Sequence, residues 1–174
     1  DGATLTDGEG GFVVLGTGIA GYASGSIEAY AGPLELGGRL LLRVNKTGQA
    51  VDETIQVGAK SIRVRFSDTE TDVFEVAVSD LTLRIGDYVT VEGNVAFSNG
   101  RFAGTGLKVF LGQGPATLEN GDTNPLATGV LLTNARIGVV QRGAGHALVA
   151  TGTVTLVGVD GLTITGTVSV RVND

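Results

Sequence analysis

The 174-residue chain has no Cys, no Met and no Trp, only three Pro and a single His, and it carries 12 Lys plus Arg against 18 Asp plus Glu. Each scarcity removes a class of function. Without Cys there is no disulfide framework, no thiol nucleophile and no Cys-based zinc site. One His cannot supply a cluster for zinc, copper or non-haem iron. The basic residues Arg39, Arg43, Arg63, Arg65 and Arg101 form no run. Nucleic-acid binding depends on clustered cations that displace counterions, so no nucleic-acid partner is expected. No apolar stretch approaches the roughly 20 residues of a spanning helix, and no basic-then-apolar signal segment opens the chain, so no membrane insertion is expected. With no Met to start it, the chain reads as a piece of a longer product.

Glycine is the abundant residue, at 29 positions, more than twice its usual share of roughly 7%. It follows no three-residue period and Pro is scarce, which excludes collagen and Pro-rich disorder. At 42% hydrophobic and 17% charged residues, the chain is able to bury a core and has the length of one domain or a little more.

The sequence repeats itself, which matters before any motif is weighed. In Leu34–Asn45, residues Gly38, Arg43, Val44 and Asn45 fall on Gly166, Arg171, Val172 and Asn173 at an offset of 128. Ala23-Ser-Gly-Ser-Ile27 matches Ala150-Thr-Gly-Thr-Val154 at an offset of 127. Ala3-Thr-Leu5 aligns with Ala116-Thr-Leu118, which places a longer loop around Pro125 in the second copy. The unit is therefore about 127 residues. Residues 1–45 read as the terminal part of one unit and 46–174 as a second, incomplete at its C-terminal end, together forming one continuous β structure.

Period-2 alternation dominates. Leu162, Ile164, Gly166, Val168, Val170 and Val172 share one face, and Thr163, Thr165, Thr167, Ser169, Arg171 and Asn173 the other. Asp160-Gly161 and Asn99-Gly100 predict hairpin turns. Strands are expected at 88–98 and 101–111, with shorter ones near 12–15, 61–66, 73–78, 81–85 and 130–140. Val51–Val57, with Asp52 and Glu53 able to cap a short turn, is the best helical candidate. The expected fold is all-β and antiparallel, built from hairpins into a sandwich or an elongated β-roll.

Five features invite chemistry. Gly16-Thr-Gly18-Ile-Ala-Gly21 has the dinucleotide-binding spacing, but its counterpart Gln141–His146 leads into a strand, so no helix N-terminus faces a phosphate. Short acidic loops offer the hard oxygen donors that Ca²⁺ takes. These are Glu119, Asp122 and Asn124 on one loop, where Asn120-Gly121-Asp122 echoes Asp7-Gly8-Glu9, and Asp68, Glu70 and Asp72 on another. Calcium is the one possible cofactor. Thr151, Thr153 and Thr155 with Thr163, Thr165 and Thr167 place hydroxyls on a flat face of the kind that contacts sugars, although Thr is also a good outer-face β-former. His146 has no Ser–Asp pattern around it. Asp80 and Asp87 would be a glycosidase pair only in an aromatic-lined cleft, and the chain has just three Tyr and six Phe. No catalytic role is expected.

Leu42–Thr54, Val157–Thr167 and Ser169–Asp174 together resemble tandem repeats of very large bacterial surface or secreted proteins, described as adhesin-like or haemolysin-type calcium-binding repeat proteins. The resemblance implies an extracellular or cell-surface, non-catalytic element of a long array or fibre. The chain lacks the glycine-and-aspartate nonapeptide of calcium rolls, so no ligand residue is carried over from them. Strand 162–173, uncharged apart from Arg171 and Asp174, is expected to be an open edge. Such an edge pairs with neighbouring copies; surface glycans are a further possible partner.

Overall fold

The computed structural model describes residues 2–118, 120–122 and 124–174. The fold is all-β, antiparallel and built from hairpins, as the alternation predicts, and it is not closed into a barrel. Nine strands form one sheet: β1 (Gly2–Leu15), β2 (Gly18–Ala31), β3 (Leu34–Asn45), β6 (Val73–Ile85), β7 (Val89–Ser98), β8 (Arg101–Gln113), β9 (Thr128–Arg142), β10 (Gly145–Val157) and β11 (Thr165–Asn173). Strand order follows chain order, so β1 and β11 are the two edges. Between β3 and β6 the chain makes a separate two-stranded sheet, β4 (Val51–Val57) with β5 (Lys60–Phe66).

Three local expectations change. Residues 51–57 form strand β4 and no helical turn: Val51, Ile55 and Val57 suit a pleated surface, and Ile55 pairs with Ile62. The stretches 73–78 and 81–85 are one strand, bent where Asp80 takes φ 51°. Asp160-Gly161 lies in a connection that runs to residue 164, because β11 begins only at Thr165. Asn99-Gly100, with both φ angles positive (45° and 74°), is the two-residue hairpin turn expected there.

The bend at Asp80 belongs to a line of bulges crossing the sheet. Asp7 in β1, Asp80 in β6, Gly106 in β8 and Asn134 in β9 each have φ between 50° and 59°, and each marks a register shift against a neighbouring strand. Opposite them, at the skipped positions, stand Gly25, Gly38, Gly93 and Gly152. A bulge with its first residue in the left-handed region kinks its strand and increases the local twist. Repeated across neighbours, it folds the sheet along one line, and the facing glycines are where backbone and side chains crowd in.

Alternation along the strands gives the bent sheet two unlike faces. One is apolar from strand to strand: Leu40 and Leu42, Val76 and Val78, Phe97, Phe102, Val139, then Val168 and Val170. The other carries Ser24, Ser26, Arg39, Arg43, Thr151 and Thr153. Burial is greatest on the polar side, where two short segments lie over it. The β4–β5 hairpin buries Val51, Val64 and Phe66 against Ala20, with Val13, Leu15 and Val73 around them. The loop between β8 and β9 buries Ala116 and Ala127 against Phe110, beside Leu131 and Val157.

The internal repeat appears in the register. Thr6 pairs with Ser26 and Glu9 with Ser24 around the Asp7 bulge. Thr133 pairs with Thr153 and Arg136 with Thr151 around the Asn134 bulge, every position displaced by 127. Strands β9–β10–β11 thus rebuild β1–β2–β3. This replaces the alignment of Ala3-Thr-Leu5 with Ala116-Thr-Leu118. The latter triplet lies in the β8–β9 loop, and the counterpart of Asp7 is Asn134, not Asn120.

Candidate functional surfaces

Three features of this architecture bear on function: the open edges, the apolar face and the acidic loops. At β11 every residue is exposed. Asp174 N donates to His146 O and Leu156 N to Ile164 O, so the even-numbered residues bond back to β10. By the alternation of an antiparallel ladder, the N–H groups of Thr165, Thr167, Ser169 and Arg171 point away from the sheet. In β3, the counterpart of β11, the corresponding side of the strand pairs with β6 from Leu34 to Asn45. At the other edge, β1 is exposed from Gly2 through Glu9.

The apolar face curls into a groove of about 430 Å³ over β8–β11, walled by Leu107, Val109, Leu132, Ile137, Val154 and Val170. Val168, Val170, Phe97 and Phe12 on this face are each more than 40% exposed. The opposite face has polar clefts. One of about 340 Å³ lies under the β8–β9 loop. There Lys108 sits 3.6 Å from Glu92 and donates to Thr117 Oγ1 at 3.0 Å.

The acidic loops are occupied by the protein's own groups. Glu70 accepts from Arg43 at 2.7 Å and from the backbone N–H and hydroxyl of Ser67, both at 3.0 Å. These bonds, the Ser67 N–H foremost, hold its carboxyl at a pKa of about 2. Asp72 pairs with Lys46. Asp68 lies in the same turn, exposed. Arg43 also bonds Glu75 at 3.1 Å and stands 5.1 Å over the Phe66 ring, so it clamps the hairpin to the sheet. On the second loop, Asp122 bonds Asn120 through its N–H and its carboxylate. Asn124 is buried, with its amide on Pro115 O and the Leu126 N–H. Glu119 lies outside the described residues. Among the described residues, no three acidic or His side chains converge as a metal would require.

The remaining sequence candidates fall apart in space. Gly16-Thr17 is the turn between β1 and β2 and a strand follows it. Asp80 is a bulge residue whose N–H donates to Asn94 Oδ1, while Asp87 sits in the β6–β7 turn. His146 Nδ1 lies 3.1 Å from Asp174. The Thr ladder forms in part, on the polar face: Thr153 stands opposite Thr167 and Thr155 opposite Thr165, whereas Thr151 faces Ser169 and Thr163 lies in the connection before β11.

Sequence reasoning missed Asn45. This buried amide donates to Gln49 O and Glu70 O and accepts from the Thr47 N–H and hydroxyl, tying the hairpin's entry to its exit. Its signal was present: Arg-Val-Asn is the tripeptide that recurs at 171–173. No protein-family model, no curated protein and no solved structure matches the chain.

Proposed function

We propose that the chain is a non-catalytic structural module of a long extracellular repeat protein, and that modules join by continuing one β-sheet from edge to edge. The observation that carries this reading is the register recurrence. Strand β11 holds the place of β3, yet the edge that β3 gives to β6 is unpaired in β11. An edge whose one charged residue is Arg171, with a row of outward donors, is a template for strand addition. The accessible area agrees: it is 10,956 Å², against about 7,900 Å² expected for a compact monomer of this 17.6-kDa mass. The excess exceeds what a standard interface covers, roughly 1,200–2,000 Å².

Light scattering after size-exclusion across a wide concentration range tests it. The expected result is a mass that rises with concentration. Ser169→Pro, which removes one outward N–H and leaves the β10 ladder intact, keeps the mass at one chain without lowering the unfolding midpoint. A wild-type chain that is monomeric at every concentration overturns the reading.

A further inference from the structure

We infer that β9–β10–β11 carries a second seat for a β4–β5-type hairpin, on the polar face, and that its occupant is the hairpin of a following unit joined through residue 174. The inference rests on the modular reading above, and adds that units are locked by a cross-packed hairpin as well as by strand addition.

The occupied seat defines what to look for. The chain leaves β3 at Lys46, whose N–H donates to Ile19 O at 2.8 Å, and passes so close to Gly18 that a Cβ there would lie 2.1 Å from Lys46 O. The hairpin then lies over Gly11, Val13 and Ala20. Ala20 has no exposed surface, and a Cβ on Gly11 would lie 2.9 Å from Ile62 Cγ2 and 3.1 Å from Ile55 Cδ1.

The second copy repeats this path residue by residue. Asp174 N donates to His146 O at 3.1 Å, and a Cβ on Gly145 would lie 2.4 Å from Asp174 O. Asp174 therefore holds, against β10, the place that Lys46 holds against β2. Beneath that exit lie Gly138, Val140 and Ala147, the counterparts of Gly11, Val13 and Ala20. Here the cover is missing among the described residues: apart from its chain neighbours, none comes within 4 Å of a Cβ placed on Gly138, and Val140 and Ala147 are only half-buried. Arg171 and Asn173 stand where Arg43 and Asn45 grip the first hairpin. A glycine in mid-strand with open space above it has no local purpose, since any side chain would strengthen the strand; a hairpin packed close above gives it one. The seats differ at Arg142, which replaces Leu15, and at Asp174, which replaces Lys46, so the second hairpin loses one apolar contact and the ion pair that Lys46 makes with Asp72.

The test extends the full chain after Asp174 with its own residues 47–85. Because the chain has no Cys, Ala147→Cys gives a single thiol in the seat. We expect that thiol to react with a maleimide roughly tenfold more slowly, or slower still, in the extended chain than in the 174-residue chain. Gly138→Val, which fills the space the hairpin needs, restores fast labelling in the extended chain and leaves the melting of the 174-residue chain unimpaired. Hydrogen exchange at Ser169 and Arg171 reads strand addition separately. Slowed exchange there with unchanged thiol labelling overturns the seat and leaves the modular reading standing. Unchanged exchange with unchanged labelling overturns both.

Discussion

Gly38 and Gly166 are counterparts in the repeat, at the same point of β3 and β11, but only the first has a bulged strand against it. Replacing each by Ala separates the effect of the bulge from that of the strand. At Gly38 the φ of 152° is one that L-residues avoid, which costs about 1–3 kcal/mol. The new Cβ would lie 2.7 Å from Val78 Cγ1 and 3.1 Å from Ser79 O, and relief of such crowding costs a further ~1–3 kcal/mol. Against this, Ala gains about 0.5–1 kcal/mol over Gly in an extended segment. Gly38→Ala should therefore destabilise by about 1–5 kcal/mol, a fall of roughly 2–20 °C in Tm for a chain of this length. At Gly166, among the described residues, none beyond its chain neighbours comes within 4 Å of the added Cβ, so Gly166→Ala should be neutral or stabilise by up to about 1 kcal/mol. Urea unfolding followed by far-ultraviolet circular dichroism measures both. Equal shifts, or a stabilised Gly38→Ala, would refute the claim that the glycines facing the bulges are required by close approach.

Three further outcomes follow from the site geometry. Asn45→Ala takes the side-chain amide from the Glu70 carbonyl and the Thr47 N–H, while the Gln49 carbonyl keeps the Thr47 hydroxyl, and should cost about 2–4 kcal/mol, with exchange quickening first across 51–66. Glu70 titrates lower in the folded chain (about 2) than its ordinary 4.5, so its contribution is fully present above about pH 4.5 and is lost as pH falls toward 2. Glu70→Gln should flatten that part of the stability–pH curve, and an unaltered curve would place the acid sensitivity elsewhere. Because Arg43 and Lys46 already hold Glu70 and Asp72, exchanging millimolar Ca²⁺ for chelator should leave the unfolding midpoint unmoved; a rise with Ca²⁺ would show a cation displacing these pairs.

Much of the fold was legible because alternation and turn chemistry are local. Val168, Val170 and Val172 alternate with Thr167, Ser169 and Arg171, and Asn99-Gly100 fixes its hairpin, whatever the sheet does beyond them. The bulges escaped for the same reason. In Val76, Val78, Leu81, Leu83 the alternation slips by one residue at Asp80, and locally that slip reads as a break between two strands. Only the partner registers, Val78 with Val95 and Leu81 with Gly93, show one continuous strand. The alignment of Ala3-Thr-Leu5 with Ala116-Thr-Leu118 matched letters, whereas register matches Asp7 with Asn134, two residues whose common property is tolerance of positive φ. In the acidic loops, type and spacing carry the donors of a cation site but not the partners those donors have in the fold. Arg43 and Lys46 lie some 26 residues from Glu70 and Asp72 and arrive only through the fold.

The arrangement of the two faces bears on how modules would join. A sheet with its apolar face open is poor as a finished object, since the hydrophobic term favours covering that face. The bulge line offers a route to cover it, because each bulge turns its strand further around the apolar side. If the sheet continues through successive units at constant curl, its apolar faces come to look at one another, and the hairpins and long loops stay outside on the polar face. One unit supplies six strands to the main sheet, β1 to β3 and β6 to β8, before β9 begins the pattern again. At about 4.8 Å per strand, measured across the sheet, the unit advances roughly 29 Å along its curved path. A chain of several units imaged by electron microscopy should therefore show a periodicity at or below about 29 Å, shorter the more tightly the sheet winds. A repeat well above that value would mean that units are joined by linkers, and would refute continuation of the sheet.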